Sequence, residues 1–390
     1  LDGNLLARMD DTFQAAVNAS ERAGYSILVQ QAGKTVYERG IGKADLATNR
    51  QIDTKTKFRL ASLTKPITSV AAMMLVEDAR LRLNDPLYLY IPEFAEAKVA
   101  VGISEDGELQ TEAPRRAPTV ADLMSHTAGI MGRSASPVTA AQVFKDYSTH
   151  FFDPGTVEDM ATRIAKLPLI AHPGEAWTYG IFATDVLGRV VEVAAQRSLE
   201  DFVQSRILDP LGMQDTAFLV AGRDTENLAT IYEHDEAGAL KPVSPHNLDR
   251  LPAPSGGGGL ASTARDYARF ASMLLNGGSL DGRRILSPAL VRQMSQNALP
   301  PALLPIDLDV ATPATGFGLG LGVRVDGNAL PESPLYPGDV WWAGSTDTFF
   351  VVSPEHDMLG VILSQYSPNK NTRSWRTWSD FTAILYGSLS

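Results

Sequence analysis

Apolar residues recur at helical spacing from the start of the chain, at Leu5, Leu6, Met9, Phe13 and Val17, and predict an amphipathic helix between Asp2 and Ala23. The pattern then changes to strand-like runs. Tyr25–Gln31 and Thr35–Ile41 flank the short Ala32-Gly33-Lys34 turn and read as a β-hairpin. A second hairpin is expected near the other end, where Thr348–Val352 and Met358–Leu363 flank a turn at Pro354–Asp357. A closing helix from Arg373 to Leu389 carries Trp375, Trp378, Phe381, Ile384 and Leu385. Helix and hairpin at the front, hairpin and helix at the back, are expected to form halves of one antiparallel α/β layer.

The stretch from about Asp85 to Arg250 has a different character, with helical segments and long loops punctuated by proline. Val186–Ala195 and Leu199–Leu208 are its clearest helices. The expected organisation is therefore an α/β domain with a central antiparallel sheet from residues 1–84 and 251–390. Residues 85–250 form an inserted, mostly helical subdomain, and the active site lies between the two. Ser255-Gly-Gly-Gly-Gly-Leu260 marks the return to the first layer. Thr263-Ala-Arg-Asp266 resembles a capping box and starts a helix through Leu275. The glycine run lacks a following Lys-Ser/Thr and is not a phosphate loop.

Composition narrows the chemistry. The 390 residues carry a formal net charge of -11, which argues against a nucleic-acid partner and against docking on an anionic membrane surface. There is no cysteine, so disulfides, cysteine-ligated zinc and thiol nucleophiles are excluded. No apolar stretch reaches transmembrane length. The chain begins at Leu1 rather than Met, as it would after removal of a signal peptide, and a cytoplasmic or an exported location fits equally.

Ser62-Leu-Thr-Lys65 matches Ser-x-x-Lys. The string alone is weak: about one chance match is expected at this composition, and a second exists at Ser367–Lys370. Context separates them. Ser62 stands at the mouth of a helical pattern with Ile67, Val70, Ala71, Met74 and Leu75 on one face. A spacing of three puts Ser62 and Lys65 side by side. Pro66 requires the helix to have only just begun, because its missing N–H must fall in the first turn. That places Ser62 at a helix N-terminus, where backbone N–H groups and the dipole favour a developing oxyanion. Lysine serves as the base for a serine hydroxyl when burial or a neighbouring cation leaves some of it neutral. The blander alternative, a helix-capping serine with a surface lysine one turn on, lacks this context.

Phe58-Arg-Leu-Ala-Ser-Leu-Thr-Lys-Pro66 resembles the nucleophile segment of the class C β-lactamases, penicillin-binding carboxypeptidases and their esterase relatives. The resemblance continues, in the family's order, at Leu123–Gly129, Pro173–Tyr179, Leu208–Met213 and Gly256–Ala264, and so spans roughly Phe58 to Ser364. It implies the β-lactamase/transpeptidase-like fold, an α/β arrangement of an antiparallel sheet flanked by helices with a helical insertion. The family's Tyr-x-Asn motif matches Tyr179-Gly180-Ile181. The tyrosine implies a phenol that shuttles the proton to the leaving group, while Ile181 replaces the asparagine that holds a lactam or peptide amide. The Lys-Thr-Gly motif matches Trp342-Ala343-Gly344, expected to open a strand from Ser345 to Val352. An indole cannot anchor a substrate carboxylate, and Trp-x-Gly is similar to the motif of family esterases. By position the resemblance implies that the Ser62 and Ser345 N–H groups form the oxyanion hole, that Gly344 permits close approach of substrate, and that one of Trp341 and Trp342, expected to be Trp342, lines the pocket.

These readings converge on a serine carboxylesterase for short-chain esters, with a small-molecule ester as its partner and no metal or cofactor. The alternatives are a β-lactamase or D-amino-acid peptidase with the same nucleophile, and a penicillin-binding-like scaffold without turnover. A Gly-x-Ser-x-Gly elbow and a His-Glu-x-x-His motif are both missing. His126 is expected to be structural, bonding backbone around its loop. Loops within Pro114–Pro154 and Ala298–Thr315 are expected to set acyl and alcohol size.

Overall fold

The computed structural model describes residues 1–131, 153–223, 226–243, 247–306, 315–325, 334–368 and 375–389. Both expected hairpins form, as Gly24–Gln31 with Lys34–Asp45 and Thr348–Ser353 with Met358–Leu363. They join through antiparallel pairing of Met358–Leu363 with Gly24–Gln31, Ile27 facing Ile362. The eight-stranded sheet runs Thr315–Phe317, Gly322–Arg324, Val340–Gly344, Thr348–Ser353, Met358–Leu363, Gly24–Gln31, Lys34–Asp45, Arg50–Gln51.

Strand alternation divides the buried side chains between two layers. Ile27, Val29, Trp341, Phe349, Val351 and Ile362 face the terminal helices and pack with Leu6, Met9, Phe13, Phe381 and Leu385. Leu28, Trp342, Phe350, Val352, Val361 and Leu363 face the opposite way, into a core shared with the helices Thr64–Glu77, Phe182–Ala195 and Ala264–Leu275. That core is continuous from the sheet to the helices of the middle of the chain.

The expected front helix is two pieces, Gly3–Leu6 and Arg8–Asn18. Leu199–Leu208 remains helical, but Gln204–Leu208 is a π turn before Asp209–Leu211. Thr263 caps its helix as expected by accepting from the Asp266 N–H, while the Asp266 carboxylate turns away to Thr216 and the Asp215 N–H. The closing helix is described from Trp375 to Gly387. Trp342-Ala343-Gly344 ends a strand, Val340–Gly344, rather than opening one, and Ser345–Asp347 form the turn into the next. The alternating burial of Trp341 and Trp342 on opposite faces is strand behaviour, and it belongs to the run before the glycine.

Candidate active site

The nucleophile segment is a tight 3₁₀ turn, Ala61–Leu63, running into the buried helix Thr64–Glu77. Pro66 falls in the first turn of that helix, as its missing N–H requires. Ala61 holds φ = 48°, a left-handed backbone that a side chain disfavours. Its neighbours hold the turn in place. The Leu60 N–H donates to Leu260 O at 2.8 Å, Thr348 Oγ1 donates to Leu60 O at 3.0 Å, and Tyr267 OH donates to Leu63 O at 2.8 Å. Ser62 is left half-buried at the apex.

Lys65 is 1% exposed, and its Nζ lies 3.1 Å from Ser62 Oγ and 2.7 Å from Gly257 O. The structure thus brings together the two residues that the sequence paired. Gly257 O is a partner that sequence reasoning missed. The glycine run explains how it gets there. A Cβ on Gly256 would meet Thr184 O at 2.7 Å, and one on Gly257 would collide with Ile181 O. Only glycine lets this backbone lie against the start of the Phe182–Ala195 helix. Asp185, on that helix, holds the run from beneath, its Oδ1 accepting from Ser255 Oγ at 2.6 Å and from the Gly257 N–H at 3.0 Å. Burial pushes the Asp185 carboxyl up to about 6, against the pull of those two hydrogen bonds and of the Lys65 charge.

Tyr179 is half-buried with its ring 5.0 Å from Lys65 Nζ. Its hydroxyl accepts from Trp342 Nε1 at 3.1 Å. Lysine and tyrosine therefore meet across the ring face; the phenol oxygen faces the indole. Trp177 stacks on Tyr179 at 5.5 Å, and His126 meets it edge-on at 4.7 Å. The expectation for Trp342 as a pocket wall is corrected: at 1% exposure it is buried, and it reaches the site through its N–H to Tyr179. Trp341, 6% exposed, lies on the other face of the sheet, so both indoles are buried.

His126 also differs from expectation. Its backbone carbonyl accepts from the Thr178 N–H at 2.8 Å next to Tyr179. The imidazole Nδ1 has no partner among the described residues. Burial, then the Lys65 charge, hold the ring well below its usual pKa, so it is neutral at neutral pH.

Gly344 ends its strand against the nucleophile turn. A Cβ there would collide with Leu60 O and Thr348 Oγ1 and would lie 3.3 Å from Ala61 Cβ. The close approach this glycine permits within the chain is to that turn. Ser345 follows as an exposed turn residue. Neither the Ser62 nor the Ser345 N–H donates to any acceptor among the described residues. Ile181 replaces the expected asparagine and packs on the glycine run. The second Ser-x-x-Lys has Ser367 beyond the sheet, with Asn369 and Lys370 outside the described residues. Parts of the loops expected to set specificity, residues 132–152 and 307–314, also lie outside them.

The β-lactamase family model matches residues 9–382. The chain belongs to that family. Among relatives, an uncharacterised protein of Mycobacterium tuberculosis is 34% identical over 378 residues, 95% of this chain and 91% of its own. The lovastatin esterase of Penicillium rubens is 31% identical over 380 residues, 90% of this chain and 91% of its own. The solved structure of EstCE1, described as a hydrolase with promiscuous acyltransferase activity, superposes with a TM-score of 0.79 at 26% identity, covering 98% of both chains. This β-lactamase-like chain thus has both esterase and acyltransferase relatives on a serine hydrolase fold.

Proposed function

We propose that this β-lactamase family member is a serine carboxylesterase that cleaves short-chain carboxylic esters through an acyl-enzyme on Ser62. The observation that carries the reading is the buried Lys65 amine 3.1 Å from Ser62 Oγ. In its neutral form Lys65 accepts the Ser62 proton as Oγ attacks the ester carbonyl. The N–H groups of Ser62 and Ser345 stabilise the tetrahedral oxyanion. Collapse expels the alcohol, which takes a proton relayed from Lys65 through Tyr179. Water then adds to the acyl-enzyme with the same groups acting in reverse.

Two substitutions favour esters over lactams. Ile181 offers no amide to a lactam side chain, and Trp342, a neutral indole, offers a carboxylate no cation, while its one N–H is committed to Tyr179. An alcohol in place of water at the second step gives acyl transfer on the same nucleophile, in keeping with the description of EstCE1.

Initial rates on p-nitrophenyl acetate and butyrate beside nitrocefin test the reading. The expected result is ester turnover with slow or no nitrocefin hydrolysis. Nitrocefin turned over faster than the esters would make the protein a β-lactamase. Ser62→Ala should abolish ester turnover while leaving the circular dichroism spectrum unchanged; wild-type rates in that variant would remove the mechanism.

A further inference from the structure

The turn that presents Ser345 is closed by the Asp347 N–H donating to Gly344 O at 3.0 Å. Every residue of it except Ser345 is tied down. Thr346 Oγ1 donates to Arg59 O at 2.7 Å, and Thr346 O accepts from the Tyr366 N–H at 3.2 Å. Thr348 Oγ1 donates to Leu60 O at 3.0 Å. Asp347 holds φ = 66°, a left-handed backbone that most side chains disfavour and that aspartate tolerates in turns.

The Asp347 carboxylate is held by an ion pair from the other end of the chain. Asp347 is 0% exposed, and its Oδ2 accepts from Arg22 Nε at 2.6 Å and from Thr377 Oγ1 at 3.0 Å. Arg22, 6% exposed, lies with its guanidinium carbon 3.8 Å from the centre of the Tyr366 ring. Burying such a pair is seldom better for stability than burying apolar side chains in its place. Its effect here is geometric: a bonded, stacked guanidinium fixes the carboxylate two residues after Ser345, and with it the direction of the turn.

We propose that the buried Arg22–Asp347 pair, with Thr377, positions the Ser345 N–H for the oxyanion, so that the amino-terminal layer controls transition-state stabilisation at Ser62. The inference rests on the reading of Ser345 as an oxyanion donor. Arg22, Asp347 and Thr377 are positioning residues, since they act through the turn and touch no substrate.

The test compares Arg22→Gln, Asp347→Asn and Thr377→Val for kcat and KM on p-nitrophenyl butyrate, for inhibition by an alkylboronic acid that forms a tetrahedral adduct on Ser62, and for thermal melting. Thr377→Val keeps both charges and removes one hydroxyl, so it reports even where the charge variants do not fold. Positioning predicts KM within about twofold, kcat lowered on the order of 10- to 100-fold in the charge variants, and boronic acid affinity lowered by the same factor. Thr377→Val should show a smaller loss of both quantities, and Arg22→Lys should recover part of what Arg22→Gln loses. Wild-type kcat and boronic acid affinity in Thr377→Val and in the folded charge variants, with only the melting temperature lowered, would overturn the inference and leave the Ser62 mechanism standing. A wild-type protein that neither cleaved the ester nor bound the boronic acid would remove the reading of the site, and this inference with it.

Discussion

At the residue scale, the most informative contact is the one from Trp342 Nε1 to Tyr179 OH. A donor aimed at the phenol oxygen leaves the hydroxyl proton free to point elsewhere, which suits a group that passes a proton on. Trp342→Phe keeps an aromatic ring in the core and removes the donor, together with part of the indole's volume. We expect kcat to fall about tenfold, the cost of one hydrogen bond to a charged or partly charged oxygen, with KM little changed, measured on p-nitrophenyl butyrate. Unchanged kcat would show that the indole is there for packing alone. Ser62, Lys65 and Tyr179 were legible because their motifs carry local order. Gly257 and Asp185 were not. The Lys65–Gly257 contact spans 192 positions and the Asp185–Gly257 contact 72, and only the packing of one helix start on a glycine run creates either.

At the scale of elements, that run is where backbone and site chemistry are most tightly joined. Gly257→Ala places a methyl group against Ile181 O and pushes the carbonyl that bonds Lys65. It should destabilise the protein by about 1–3 kcal/mol in denaturant unfolding, with a parallel loss of kcat. Gly3→Ala, where a Cβ meets nothing within 4 Å, is the control and should stay within about 0.5 kcal/mol of wild type. A Gly257→Ala protein as stable and active as the control would mean that the run has room to spare. Hairpins and long helices were readable from periodicity because one face of each is buried. The boundaries were less so. The strand expected at Ser345–Val352 begins only at Thr348, after a turn, and a separate strand, Val340–Gly344, precedes that turn; two adjacent tryptophans buried on opposite faces carry no visible alternation of polarity to mark it. The break at Ala7 in the front helix likewise leaves no mark in the apolar spacing.

At the scale of the whole molecule, the sheet joins the two ends of the chain, and the site is assembled where it meets the central helices. The pairing of the two hairpins followed from the pattern of the ends, whereas the short outer strands Thr315–Phe317 and Gly322–Arg324 had no pattern long enough to read. A buried carboxyl makes the stability of this assembly depend on pH. Folding moves Asp185 from 3.8 to about 6, so the folded state holds that proton more tightly than the unfolded state. Its contribution to stability is full below the unfolded value and is lost as pH rises through about 6. A shift of roughly two units corresponds to about 3 kcal/mol. Asp185→Asn keeps an oxygen for Ser255 and Gly257 and cannot ionise. The unfolding free energy of wild type should therefore fall by about that amount relative to Asp185→Asn between pH ~3.5 and pH ~7. A difference that stays flat across this range would mean that Asp185 keeps its ordinary pKa.

Whether Ser62 is a nucleophile activated by Lys65 can be read from intact-mass spectrometry after treatment with a p-nitrophenyl alkylphosphonate, followed by peptide mapping. One covalent adduct per chain is expected, located on Ser62, absent from Ser62→Ala and formed orders of magnitude more slowly in Lys65→Ala. An adduct that persists in Ser62→Ala, or a wild-type protein that turns over esters without being labelled at Ser62, would contradict that role.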